Sequence, residues 1–209
     1  MNDLFQQNQP FADGAFLLPA FALPNAATFL TQINAITAQA PLRHMMTPMG
    51  FNMSAAMSNC GDLGWITDRK GYRYATQDPL TKQPWPSMPA SFLQLASNAA
   101  AECGFADFVP DACLINQYHI GASMGLHQDK DEQDFSQPIV SVSLGIAATF
   151  LFGGLNRTDK PAKIILNHGD VLVWGGTTRL NFHGIAPIKK ASHTLFGNTR
   201  VNLTFRKAG

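Results

Sequence analysis

Residues 125–132, Gly-Leu-His-Gln-Asp-Lys-Asp-Glu, put five ionisable side chains into eight positions. Two readings compete for so dense a stretch: a solvated acidic turn, or the mouth of a metal site. His127 and Asp129 stand two apart, and in extended backbone residues i and i+2 face the same way. An imidazole and a carboxylate on one face need only a second imidazole to form a facial triad. Such a triad leaves positions on iron open for oxygen chemistry. An H-x-D tripeptide arises by chance in many proteins, so the metal reading depends on partners elsewhere in the chain.

The other histidines are His44, His119, His168, His183 and His193. His168 sits in the turn sequence 167–170, where Asp170 is expected to bond its own backbone. His193 lies in a polar loop and His44 precedes the strand-rich half. His183, in "LNFHGI" (180–185), follows the apolar run 171–174 and is the best-placed third ligand. Polar residues in two further segments strengthen the case. "RVNLTFR" (200–206) carries Arg200, Asn202 and Arg206 on one face of an otherwise apolar strand, and "INQY" (115–118) aligns Asn116 with Tyr118. Arginine's planar fork suits a carboxylate. Together these groups would hold a small dicarboxylate beside the metal; a solvated strand face is the alternative.

Strands must carry these residues, and the pattern supplies them. Short runs at 112–118, 139–145, 148–152, 163–167, 171–174 and 200–205 alternate with turn sequences such as "FGG", "NHGD" and "NFHG". Strands at this spacing predict a sandwich or jelly roll rather than βαβ units. Helical periodicity appears earlier. Phe29, Ile33 and Ile36 recur within 23–40, with Pro24 suited to the first turn. Phe92, Leu95, Ala96, Ala99 and Cys103 line one side of 89–104, with Gly104 as the stop. Residues 41–88 read as short strands and loops, with 67–86 as one long surface loop. The expectation is a mainly β protein with N-terminal helices. One domain would span 1–209, with the helices and the long surface loop in 1–110 and the jelly-roll core in 111–209.

Composition narrows the class further. Of 209 residues, 45% are hydrophobic, enough for a sizeable core, while charged residues are only 14% and the net charge is +1. A near-neutral chain has no global attraction for nucleic acid or membranes, so any phosphate affinity must be local. Cys60, Cys103 and Cys113 are odd in number and lack C-x-x-C spacing, which fits a reducing cytoplasm better than a disulfide framework. No apolar run approaches the roughly 18 residues of a membrane helix. No heptad or apolar patch asks for a partner subunit, so a cytoplasmic monomer is expected.

The ordered set Asn116-Gln-Tyr118, His127-Gln-Asp129, His183 and Arg200-Val-Asn202-Leu-Thr-Phe-Arg206 resembles the AlkB family of iron(II)- and 2-oxoglutarate-dependent dioxygenases. "SNCGDLGW" (58–65), "HQDKDE" (127–132) and "HGDVLVWGG" (168–176) extend the resemblance over nearly the whole chain. It implies a double-stranded β-helix (jelly roll) with Fe(II) on His127, Asp129 and His183. It further implies 2-oxoglutarate gripped by Arg200 and Tyr118, with Asn116, Asn202 and Arg206 completing that pocket, and O2 as the oxidant. The implied activity is oxidative demethylation of N1-methyladenine and N3-methylcytosine in single-stranded or duplex DNA, or in RNA, releasing formaldehyde, succinate and CO2.

For the base, the resemblance implies Trp65 stacked on one side and His127 on the other, with Asp131 near the exocyclic amine. Tyr72, Arg69, Lys70 and Arg73 of "DRKGYRY" (68–74) would belong to a lid over the nucleotide, with Arg157 and Lys130 as further phosphate contacts. Asp68 and Phe51 depart from relatives, which carry histidine and tyrosine there, and that bears on affinity rather than on iron chemistry. Glu132 and Asp134 read as a solvated acidic face. Three other readings stay open: an oxygenase acting on protein or small molecules, a non-catalytic jelly-roll binding module, and a hydrolytic zinc enzyme.

Overall fold

The computed structural model describes residues 8–209. Thirteen strands follow one another in chain order: β1 (Gln9–Ala12), β2 (Ala15–Leu18), β3 (Ala56–Gly61), β4 (Gly64–Asp68), β5 (Gly71–Ala75), β6 (Ala112–Tyr118), β7 (Met124–His127), β8 (Ile139–Gly145), β9 (Ala148–Phe152), β10 (Ala162–Leu166), β11 (Val171–Trp174), β12 (His183–Ile185) and β13 (Arg200–Arg206). Two helices, α1 (Ala26–Gln39) and α2 (Ala90–Glu102), lie in the first half. A seven-stranded sheet runs β1-β2-β11-β8-β13-β6-β3, and a four-stranded sheet runs β10-β9-β12-β7. Strands β4 and β5 form a separate two-stranded ribbon.

The period-2 alternation of the large sheet explains this layering. On β13, Val201, Leu203 and Phe205 join a core with Phe29, Ile33 and Ile36 of α1 and Phe92, Leu95 and Ala96 of α2. Phe92 meets Phe29 edge-on at 5.1 Å and Phe205 edge-on at 5.9 Å. The intervening residues of the large sheet point the other way. Leu114, Tyr118, Ile139, Leu172 and Trp174 pack with Phe150, Phe152, Leu166 and Ile185 of the small sheet. The helices thus cover one face of the large sheet, and the small sheet covers the other. This is the jelly roll expected from the strand pattern. Arg200, Asn202, Thr204 and Arg206 occupy the inner phase of β13, so the fold buries them between the two sheets.

Both helices start close to where the sequence places them. Pro24 lies in a short 3₁₀ turn, Leu23–Asn25, just ahead of α1 rather than inside its first turn. Gly104, at φ +85°, follows the end of α2 as the expected stop. The long loop expected at 67–86 is a correction. Its first part is the hairpin of β4 and β5, turning at Arg69 and Lys70 with Gly71 at φ +111°. No described helix is long and apolar enough to cross a membrane.

Candidate metal and co-substrate site

The two histidine-bearing strands are direct neighbours. Strands β7 and β12 pair antiparallel with His127 opposite His183, and their rings stand 4.4 Å apart. Close approach here needs Gly184, because a Cβ at that position would lie 2.6 Å from the Met124 carbonyl oxygen. The Gln128 side chain donates to the Leu180 carbonyl at 2.7 Å, tying the end of β7 to the segment leading into β12. Asp129 follows directly. Its Oδ1 lies 3.7 Å from His127 Nε2, and its Oδ2 lies 3.7 Å from His183 Nε2. All three donor atoms fall within 4.8 Å of one another.

The donor chemistry fits a divalent metal. His127 Nδ1–H donates to the Gly125 carbonyl at 2.9 Å, and His183 Nδ1–H donates to the Asn181 carbonyl at 3.0 Å. A carbonyl can only accept, so each ring carries a proton on Nδ1 and turns Nε2 toward Asp129. Burial, reinforced by His127, pulls the His183 pKa down to about 4, which keeps this ring neutral at neutral pH. Burial by itself would raise the pKa of Asp129. Arg206, His183 and His127 outweigh it and hold that carboxyl below the ordinary range. The two imidazoles and the carboxylate make a set that could hold a divalent metal such as iron.

Beside them lies a cradle for an acid. Arg200 is 1% exposed, and its Nη2 donates to Ser143 Oγ at 3.0 Å. Its Nε and Nη1 are buried without a partner, as is Asn116 Oδ1. Two unpaired guanidinium nitrogens in an interior are costly, and a carboxylate is their natural complement. The guanidinium carbon sits 5.1 Å from the centre of the Tyr118 ring, its cross-strand neighbour. Asn202 is already committed: its Nδ2 donates to Ser141 Oγ and the Val142 carbonyl, while its Oδ1 accepts from Thr204 and Asn116. Arg206 is partly committed: its Nε and Nη2 donate to Asp129 Oδ2 at 2.9 and 2.6 Å.

A cavity of about 570 Å³ contains the triad, Arg200, Tyr118, Asn116, Asn202 and Arg206, and reaches Trp65, Tyr72, Asp131 and Arg157 at its mouth. Trp65 on β4 stacks on Tyr72 on β5 at 5.6 Å, and its indole N–H donates to Asp131 Oδ2 at 2.8 Å. Trp65 is thus partly exposed at the rim rather than a core tryptophan. At the hairpin tip Asp68 takes both Nη atoms of Arg73, at 3.0 and 2.7 Å. That pair and the Lys70 N–H hold the Asp68 carboxyl down at about 2. Arg69, Lys70 and Phe51 are exposed, and Arg157 lies over the Phe182 ring at 5.9 Å.

One expectation is overturned. Glu132 is not part of a solvated face: it is buried among Tyr74, Arg179 and Arg206, whereas Asp134 is exposed as expected. Ser143 and Arg179 are not among the expected site residues, and Tyr74, an aromatic of the segment 68–74, turns its hydroxyl inward to Glu132 at 2.6 Å. Ser141 and Ser143 had a signal, since they alternate with valines in the inner phase of β8. Arg179, a lone arginine in a Gly/Thr turn, had none.

A two-sheet jelly roll that sets two histidines and a carboxylate beside a buried, half-unpaired arginine is the architecture of an iron- and 2-oxoglutarate-dependent oxygenase. The model of the 2OG-Fe(II) oxygenase superfamily matches residues 14–206. The chain is 53% identical to the alpha-ketoglutarate-dependent dioxygenase AlkB of Salmonella typhimurium, over 100% of this chain and 98% of the relative. It is also 53% identical to that of Escherichia coli, over 100% and 99%. The solved structure of OsALKBH1 superposes with a TM-score of 0.83 at 31% identity, covering 96% of this chain and 99% of the other. The chain belongs to the 2OG-Fe(II) oxygenase superfamily and, within it, to the AlkB dioxygenases.

Proposed function

We propose that the protein demethylates N1-methyladenine and N3-methylcytosine in nucleic acid, with His127, Asp129 and His183 holding Fe(II). The observation that carries this is the rim: an aromatic plate, Trp65, hydrogen-bonded to a carboxylate, Asp131, beside the metal triad in one cavity. Both methylated bases are cationic near neutral pH, so a carboxylate and aromatic faces suit them. Their methylated edge cannot pair, which lowers the cost of turning the base out of a duplex. Bound iron supplies the oxidising chemistry, by which O2 and 2-oxoglutarate are converted with the methyl group to succinate, CO2 and formaldehyde.

The chain's own residues bind, orient and exclude water. Arg200 and Tyr118 grip the distal carboxylate of 2-oxoglutarate, and Asn116 lines the same pocket. Asn202 fixes the strand geometry through its four hydrogen bonds, and Arg206 sets the Asp129 carboxylate. Trp65 and His127 sandwich the base, Asp131 meets its exocyclic amine, and Tyr72, Arg157 and Lys130 face the backbone. A reducing cytoplasm fits the three free, buried cysteines.

The test supplies Fe(II), ascorbate, 2-oxoglutarate and a single-stranded oligonucleotide carrying one N1-methyladenine. Loss of the methyl group that vanishes without 2-oxoglutarate is expected. Succinate formed without demethylation would move the enzyme to a protein or small-molecule substrate. Trp65→Ala should slow repair roughly 10–100-fold, the worth of one base stack, while slow succinate formation without nucleic acid continues. Repair at the wild-type rate would remove the stacking role.

The lid makes a second prediction. Because Asp68 occupies Arg73, Asp68→Asn should free one cation for phosphate. Affinity for single-stranded DNA then rises, and its dependence on log salt steepens by about one contact's worth. Fluorescence anisotropy across a salt series measures both, and an unchanged slope would show that Arg73 does not reach the backbone.

A further inference from the structure

Behind the Asp129 carboxylate lies a buried cluster of charges that joins it to the lid hairpin. Arg206 donates twice to Asp129 Oδ2, and its Nε also lies 3.4 Å from Glu132 Oε1. Arg179 Nη2 reaches Glu132 Oε2 at 3.2 Å, while its Nη1 donates to the Asp129 carbonyl at 2.8 Å and its Nε to the Gln137 carbonyl at 2.9 Å. The Tyr74 hydroxyl, on β5 of the lid hairpin, completes the ring by donating to Glu132 Oε1 at 2.6 Å. Glu132, Arg179 and Arg206 are each at most 6% exposed.

We infer that Glu132 is a positioning residue for the iron site, acting through Arg206 on the Asp129 carboxylate. This rests on the reading of His127, Asp129 and His183 as the iron ligands. Two carboxylates, Asp129 and Glu132, balance two guanidinium groups, Arg179 and Arg206, so the cluster is neutral before a divalent cation enters. Without the Glu132 charge it would carry a net positive charge a few ångströms from the incoming metal, in an interior where screening is weak. Arg206 would also lose its second anionic partner and draw more heavily on Asp129, weakening that carboxylate as a donor to metal. Both effects oppose cation binding. Through Tyr74 the lid strand that carries Tyr72 toward the cavity mouth shares the same hydrogen-bond network as the metal carboxylate.

The test titrates Co(II) into the metal-free full chain under anaerobic conditions and follows its visible ligand-field bands, with a thermal melt of each variant alongside. Glu132→Gln keeps the shape and removes the charge, and it should lose roughly 10–100-fold in Co(II) affinity, the range for outer-sphere partners. Arg179→Gln removes a positive charge from the same cluster and should bind Co(II) at least as tightly as the wild type. Tyr74→Phe removes a donor and no charge, so its loss should be smaller than that of Glu132→Gln. A purely structural role predicts weakening by both Glu132→Gln and Arg179→Gln, and that result overturns the inference. So does wild-type affinity and an unaltered spectrum in Glu132→Gln. A wild type that takes up no Co(II) would instead overturn the iron-ligand assignment itself.

Discussion

Asp129→Ala abolishes iron-dependent turnover, including the slow oxidation of 2-oxoglutarate that needs no nucleic acid. The carboxylate is the one anionic donor among the three ligands, and it also neutralises Arg206 at 2.6 Å. Removing it leaves two imidazoles beside two guanidinium groups balanced by Glu132 alone. The loss should lie well beyond the roughly 10–100-fold that an outer-sphere partner costs. Stability falls as well, because taking one member from a buried ion pair strands the other at about 3–5 kcal/mol. Asp129→Asn separates the two effects. It keeps an acceptor for Arg206, so it should melt nearer the wild type while still failing to bind Co(II) or form succinate. Succinate formation by Asp129→Asn at wild-type iron concentration would mean that another carboxylate binds the metal.

The co-substrate residues were legible because β13 and β6 are long enough to show period-2 alternation. Arg200, Asn202 and Arg206 on one phase, with Val201, Leu203 and Phe205 on the other, already state which side faces the cavity. Asp170 was legible for a local reason: it accepts from the Asn167 and Ala20 N–H groups, and the first contact is visible in the turn sequence. Strands β7 and β12 were not legible as strands, being four and three residues long, too short for any pattern. Their histidines were found by other signs: the spacing of His127 to Asp129, and the place of His183 after the apolar run 171–174. Strands β1 and β2 carried a signal that went unused, the Asp13-Gly14 pair between two short apolar runs, with Gly14 at φ +74°. Glu132 could not be read at all. Its partners stand 58, 47 and 74 positions away, at Tyr74, Arg179 and Arg206, so nothing near it in sequence distinguishes it from Asp134.

Arg200→Met separates co-substrate binding from folding, because the wild-type guanidinium is worse off in the empty pocket than a thioether would be. Two of its nitrogens are buried without partners, and burial pulls its pKa below the usual arginine value. Methionine fills much of the same volume without those unpaired donors. The variant should therefore fold at least as stably as the wild type before 2-oxoglutarate is added. Binding changes in the opposite sense. A charge-assisted contact to carboxylate is worth about 1.5–3 kcal/mol, so the 2-oxoglutarate requirement should rise roughly 10–100-fold with a smaller change in kcat. A thermal-shift series shows both halves at once. In the presence of Co(II), 2-oxoglutarate should raise the wild-type Tm and leave that of Arg200→Met nearly unmoved, because only a ligand that binds the folded state stabilises it. If 2-oxoglutarate raised both melting temperatures equally, its distal carboxylate would have to be held by another residue, and the unpaired nitrogens of Arg200 would need a different partner.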